Sequence, residues 1–443
     1  MNDKPGDTPD NGDQNPFKGT PFEQFFGAMG GAMGGAGGAG GAGMPDLSML
    51  FNQIQSMMQP HDGPVNWDFA LDLARKTVAQ SPDPTPSQKQ RDAVADALRL
   101  ADHWLDATTE FPSGVSSTAA WSRAEWVVGT TDVWKVLVEP IAESSVQALS
   151  GALPDEAAEM TGPILGILGQ AVGGMLASQI GSGLGALASD VLSVSDIGLP
   201  LAAPGQAAIV SANLDAFADG LDVSADDLLL YVALREAAHQ RLFAHVPWLR
   251  DHLISAVTDY ARGLEVNAAG MSAKIEEQMR GIDPTNPESM QEMLEGGMFE
   301  IDRSPAQEAA LQRLEVTLAL VEGWVDEVVG QATAERMPTA AKLQEIFRRR
   351  RAAGGPAEQT FATLVGLELR PRRLRDASTL WGSLRTRQGT EARDGVWMHP
   401  HLLPTAADLD DPLGFREDAS APAELSDEDF DAELQKLLDP PQE

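Results

Sequence analysis

The sequence contains no cysteine among its 443 residues. This absence excludes disulfides, a thiolate nucleophile, zinc fingers and iron–sulfur centres built by this chain. Any metal would have to be held by histidine and carboxylate side chains alone. A chain without cysteine suits a reducing compartment, and the polar, acidic N-terminal stretch lacks the charged-then-apolar layout of a signal peptide. We therefore expect a cytoplasmic protein.

Basic residues are scarce as well, since 32 Lys and Arg face 66 Asp and Glu and give a formal net charge of −34. A charge this negative repels phosphate backbones and anionic lipid headgroups. We therefore expect neither a nucleic-acid partner nor a membrane partner. The charge is uneven, however: residues 342–394 hold 12 basic and 6 acidic residues, whereas residues 408–443 hold 13 acidic and 2 basic ones. A local basic groove thus remains compatible with the composition.

Tyrosine occurs only twice and aromatic residues make up 6% of the chain, which argues against an all-β sandwich. The Ala- and Leu-rich remainder predicts a mainly α fold with at most a small β element, which we place near residues 207–217. Residues 1–62 are rich in Gly, Ala and Met and predict a disordered tail. Residues 63–405 form the expected folded domain, and residues 406–443 form an acidic C-terminal tail.

The acidic tail contains the stretch LSDEDFDAELQKLL, whose apolar residues fit one face of a helix. Those residues are Leu425, Phe430, Leu434, Leu437 and Leu438. Three interpretations stay open: a solvated acidic tail, a tail that binds a partner, or an intramolecular cover for the basic part of the chain.

Helical spacing of apolar residues recurs through the middle of the chain. It predicts helices at about 87–110, 132–149, 224–244, 247–260, 306–334 and 339–351, with Ser87 as the cap of the first. Residues 160–189 differ, because they carry no charge and include eight glycines. Two interpretations stay open for them: a buried central helix packed through its glycines, or a transmembrane span.

The stretch LREAAH, residues 234–239, is the segment most suggestive of chemistry. In an H-E-x-x-H helix two imidazoles four residues apart grip zinc, and the glutamate between them activates the metal-bound water. Glu236 and His239 have that spacing, but Arg235 stands where the first histidine belongs. Taken alone, a Glu/His pair three residues apart is weak evidence, since helix surfaces often carry one.

Three segments, REAAHQRLFAHVPWLR, LVEGWVDEVV and GGPAEQTFATLVGLELRPRRL, together resemble the zincin-like metallopeptidase family of actinobacteria and related bacteria. The resemblance spans roughly residues 65–415 and implies a mostly helical zincin-like domain acting as a zinc-dependent metalloprotease or related hydrolase. It implies that Glu236 is the general base, His239 a zinc ligand and Glu322 a further zinc ligand. By the same resemblance, Asp326 lies one turn beyond Glu322, where it could orient a ligand.

The sequence departs from the family pattern twice, with Arg235 in place of the first histidine and Trp324 in place of the histidine of E-G-H. Arginine cannot ligate zinc, because it stays protonated and has no acceptor atom. One hypothesis is a peptidase-like hydrolase in which Glu236 activates water on zinc near His239 and Glu322. The alternative is a pseudoenzyme in which Arg235 replaces the metal and the groove binds a peptide or protein partner.

Overall fold

The computed structural model describes residues 61, 63–151, 162–260, 304–352 and 373–416. Most of the predicted N-terminal tail and residues 417–443 of the acidic tail lie outside these residues. Within the described part, helices dominate and the β structure is limited to one two-stranded sheet. The mainly α fold with a small β element is therefore confirmed.

Two N-terminal helices begin at caps that the sequence encodes. Helix α1 is Trp67–Val78, and the Asn66 side chain accepts a hydrogen bond from the Phe69 amide at 3.0 Å. Helix α2 is Gln88–Leu105, and Ser87 forms a reciprocal capping box with Gln90. The predicted Ser87 cap is confirmed, although the helix ends five residues earlier than expected.

The helix predicted at 132–149 begins nine residues earlier in the structure, as α3, Arg123–Gly151. Its start is fixed by a second reciprocal cap: the Ser122 amide donates to the Glu125 carboxylate at 2.7 Å, and the Glu125 amide donates to the Ser122 hydroxyl at 3.2 Å. The spacing of apolar residues did not reveal this cap, because Ser122 and Glu125 are both polar.

The glycine-rich stretch forms helix α4, Gly162–Ala188, which packs closely on α1. A Cβ on Gly181 would lie 2.4 Å from the Ala70 carbonyl oxygen, and one on Gly185 would lie 2.5 Å from Thr77 Cβ. Glycine is thus required for the backbones to approach this closely. The interpretation as a buried helix is supported, and no helix in the described part of the chain has the length and apolar character needed to cross a bilayer.

The sheet consists of β1, Ser117–Trp121, and β2, Gln206–Val210, which run parallel with Ser117 opposite Gln206. The β element predicted at 207–217 is therefore only half right, because helix α5, Ser211–Ala218, follows directly. Asn213 at the start of α5 donates to the carbonyl oxygens of Ala188 and Val191 at 2.8 and 2.7 Å. Those long-range bonds anchor α5 against the end of α4.

The remaining helices include the two that carry the candidate residues. In chain order, the remaining helices are α6, Ala225–His245; a helical stretch at 247–260; α7, Pro305–Thr333; α8, Ala340–Ala352; α9, Leu374–Gly395; and α10, Ala406–Asp410, with 3₁₀ turns at Val396–Met398 and Pro400–Leu402. Phe415 is buried beyond α10. The described structure therefore continues through α10 to residue 416.

Candidate functional site

Helices α6 and α7 carry the four predicted site residues and bring three of them into contact. Arg235, Glu236 and His239 lie on α6, and Glu322 lies on α7. All four are buried, with no side chain more than 5% exposed. Residues 235 and 239 are four apart and share one helix face, and Glu322 contacts that face. The sequence thus identified side chains that meet across more than 80 residues of chain.

Three side chains, those of Arg235, Arg351 and His239, contact the Glu322 carboxylate. Its Oε2 accepts from Arg235 Nη2 at 2.5 Å, and its Oε1 accepts from Arg351 Nη2 at 3.0 Å. The same Oε1 lies 3.0 Å from His239 Nε2. Burial by itself raises the pKa of Glu322, but Arg351, Arg235 and His239 outweigh it and hold that pKa well below its usual range. Glu322 is therefore an ionised carboxylate.

His239 faces acceptors on both ring nitrogens. Its Nδ1 lies 2.9 Å from the Arg235 carbonyl oxygen, four residues back on α6, and its Nε2 faces the Glu322 carboxylate. One nitrogen of a neutral imidazole donates and the other accepts, so the tautomer decides which of these contacts is a donated hydrogen bond. Both ring nitrogens lie within hydrogen-bond distance of protein oxygens, so the His239 ring is held between α6 and α7.

Glu236 makes a different set of contacts, with Ser195 in the loop after α4 and with Gln240 on α6. Its Oε2 accepts from the Ser195 amide at 3.0 Å, and its Oε1 accepts from Gln240 Nε2 at 2.9 Å and from the Ser195 hydroxyl at 3.3 Å. Burial raises the pKa of Glu236, and these donors lower it only in part. Ser195 is a site residue that the sequence analysis missed, because no local pattern connects it to α6.

The four consecutive arginines at the end of α8 are each paired with a carboxylate. The pairs are Arg348 with Asp326 at 2.5 Å, Arg349 with Glu345 at 2.6 Å, Arg350 with Asp196 at 3.2 Å and Arg351 with Glu322 at 3.0 Å. Burial raises the pKa of Asp196, but Arg350 and Arg351 bring it below its usual value. Much of the positive charge at the end of α8 is therefore paired with carboxylates of the protein.

Asp326 and Trp324 take roles other than those suggested by the family pattern. Asp326 Oδ2 accepts from Arg348 Nη2 at 2.5 Å and from the Ser378 hydroxyl at 2.8 Å, so its contacts lead toward α8 and α9. The buried Trp324 indole donates to Asp394 Oδ1 at 2.9 Å. Trp324 thus anchors α7 to the end of α9 as a core residue.

The residues present do not fit a catalytic zinc site. Such a site takes three protein ligands and leaves one position for water, whereas only His239 and Glu322 remain from the family pattern. No group of three or more His, Asp or Glu side chains suited to a metal occurs within the described ranges. The space beside Glu322 is also closely packed, since a Cβ on Gly198 would lie 3.0 Å from Glu322 Oε1.

Fold and site together define a mostly helical protein with a zincin-type helix pair, in which a Glu-x-x-His helix meets a glutamate from a second helix. Comparison with family models agrees: the model described as zincin-like metallopeptidase matches residues 65–415, and the chain belongs to this family. The family resemblance drawn from the sequence is confirmed.

A crystal structure from Chloroflexus aurantiacus, described as that of "a putative hydrolase with a novel fold", has a similar fold. The two share 21% sequence identity with a TM-score of 0.56, over 81% of this chain and 100% of that one. At this identity the similarity concerns the fold alone. No protein of curated function matches the chain.

Proposed function

We propose that this chain is a non-catalytic member of the zincin-like family, in which an arginine cluster takes the place of the metal and the fold serves to bind a protein partner. The observation that carries the proposal is the pair of guanidinium groups on the two oxygens of Glu322. Arg235 supplies one of them from the position of the expected first histidine.

Charge balance supports this replacement. A zinc ion would bring two positive charges to the buried Glu322, and Arg235 and Arg351 bring the same number. Planar guanidinium groups satisfy a carboxylate in a fixed geometry, and arginine keeps its charge when it is buried. Removing one member of such a buried network leaves the other charges without compensation, which costs about 3–5 kcal/mol. The arginines therefore make the helix pair stable without a metal.

The catalytic hypothesis stays a prediction, and one observation favours it. Burial raises the pKa of Glu236, which is the direction that suits a general base working near neutral pH. Water activation on a metal, however, would require His239 and Glu322 to exchange their present contacts for metal bonds. It would also require a third ligand in place of Arg235.

A protein or peptide partner is favoured over a small molecule. The cavity lined by Gln240, Phe243 and Arg250, next to the Glu236 contacts, measures about 70 Å³, and a second one, lined by Asp102 and Ser117, measures about 210 Å³. Pockets for small molecules usually start at about 300 Å³. Cavities this small suit a side chain of a bound protein better than a free metabolite.

The experiment compares thermal unfolding of the untagged full-length chain with and without a chelator, alongside Arg235→Ala. We expect no change with the chelator and a large drop in the unfolding midpoint for Arg235→Ala. Arg349→Ala is the matched control, because Arg349 pairs with Glu345 at the surface and we expect its removal to have little effect. A midpoint lowered by the chelator, or peptide cleavage abolished by Glu236→Gln, would contradict the proposal.

A further inference from the structure

Three of the six large apolar residues that are exposed in the described part of the chain lie in one short segment. They are Met398, Leu402 and Leu413, which are 77%, 39% and 60% exposed. Two parts of this segment are in contact, because Arg416 Nη2 donates to the Leu402 carbonyl oxygen at 3.5 Å. We call residues 398–416 the C-terminal platform. Exposed apolar residues gathered in this way mark a docking surface more often than scattered ones do.

Two arginines, one at the end of the platform and one beside it, lack acidic partners within the ranges that the structure describes. Arg387 donates to the carbonyl oxygens of Phe415 and Arg416 at 2.8 and 3.3 Å, and Arg416 stacks on the Phe415 ring at 5.3 Å. By contrast, Arg375 pairs with Glu345 and Arg385 pairs with Glu327. The platform thus combines exposed apolar residues with two arginines that have no carboxylate partner in the described ranges. Its own carboxylates lie at α10, where Asp408 caps the helix and Asp410 pairs with Arg373, and Asp411 follows at the helix end.

The sequence that follows the platform has the complementary chemistry. Residues 417–443 contain ten acidic residues and one basic residue. Within them, Phe430, Leu434 and Leu437 fall on one face of a helical repeat, with acidic residues on the other faces. We propose that this acidic segment, residues 425–438, docks in cis on the C-terminal platform, with its apolar face on Met398, Leu402 and Leu413 and its carboxylates near Arg387 and Arg416.

The tether favours docking within one chain over docking between two. Only eight residues separate Arg416 from Leu425, and a flexible linker of that length has an end-to-end distance of roughly 16 Å. A tether this short holds the segment at an effective concentration of about millimolar. At that effective concentration, even weak docking through the apolar residues and two ion pairs is populated in the free protein.

Because the chain has no cysteine, a pair of introduced thiols can test the proposal by disulfide formation in the full-length protein. The test pair is Met398→Cys with Leu434→Cys. The matched control is Met398→Cys with Gln435→Cys, which has nearly the same tether but points to another helix face. Mild oxidation should give about tenfold more bridged monomer for the test pair, because disulfides form only between closely opposed Cβ atoms.

A second arm tests the charges. Arg387→Glu together with Arg416→Glu should lower the yield of bridged monomer severalfold, whereas Arg375→Glu should leave it unchanged. Equal yields for the Leu434 and Gln435 pairs would overturn the proposal. So would disulfide-linked dimers in place of bridged monomers, because they would place the segment on a second copy of the chain.

Discussion

The arginine cluster predicts a large stability cost for Glu322→Gln. This change removes the negative charge between Arg235, Arg351 and His239, which are at most 6% exposed. It also replaces one acceptor oxygen with an NH₂ group, so a donor then faces at least one of the groups that now donate to Glu322. Breaking a buried ionic network in this way costs about 3–5 kcal/mol. Urea unfolding followed by circular dichroism measures the change in the free energy of unfolding.

Glu345→Gln is the matched control for that experiment. Glu345 also holds two arginines, since Arg349 and Arg375 lie 2.6 and 2.9 Å from its carboxylate, but it does so at the surface. Solvent screens surface ion pairs, so this variant should unfold almost like the wild type. If Glu322→Gln were as mild as Glu345→Gln, the buried cluster would not be the stabilising element that we describe.

The pH dependence of the same difference gives an independent check. The folded protein holds the pKa of Glu322 below the ordinary value of 4.5, so ionised Glu322 stabilises the folded state fully above that pH. The contribution is lost as the pH falls through the folded pKa. The stability difference between wild type and Glu322→Gln should therefore be constant above pH 4.5 and shrink below it.

Three further substitutions test other buried positions. Burial raises the pKa of Glu236 above 4.5, so the stability of wild type relative to Glu236→Gln should be greatest below pH 4.5 and decline as the pH rises through the folded pKa; urea midpoints across pH measure this. Gly198→Ala should cost about 1–3 kcal/mol, more than Gly220→Ala, because both positions have a positive φ but only the Gly198 Cβ meets Glu322. Arg393→Met should cost about 3–5 kcal/mol in the same assay, since this fully buried guanidinium donates to two carboxylates.

Much of the fold could be predicted from local patterns, and the misses have physical reasons. The caps at Ser87 and Ser224 are sequence-local, so the helices that follow them were placed well. The start of α3 was missed because the Ser122 cap precedes the first clear apolar stripe. The strand predicted at 207–217 ended early because Asn213 bonds to residues near the end of α4, and no local pattern encodes that contact.

Part of the site could be predicted from local spacing, and part from the family resemblance. The spacing of residues 235–239 fixed one helix face, and the family resemblance supplied Glu322 from a distant helix. The second guanidinium, from Arg351, could not be found in this way, because it depends on how α8 packs against α7. Within the run 348–351 sequence alone does not show which arginine turns inward. The structure shows Arg351 on Glu322 and Arg349 at the surface.

The zinc content of the full-length chain tests the central claim most directly. Untagged protein is equilibrated with zinc, passed through a desalting column and measured by plasma mass spectrometry, beside Arg235→His, which restores the H-E-x-x-H pattern. Our account predicts no stoichiometric zinc in the wild type and a gain of zinc in Arg235→His. About one zinc per chain in the wild type, lost on His239→Ala, would contradict it.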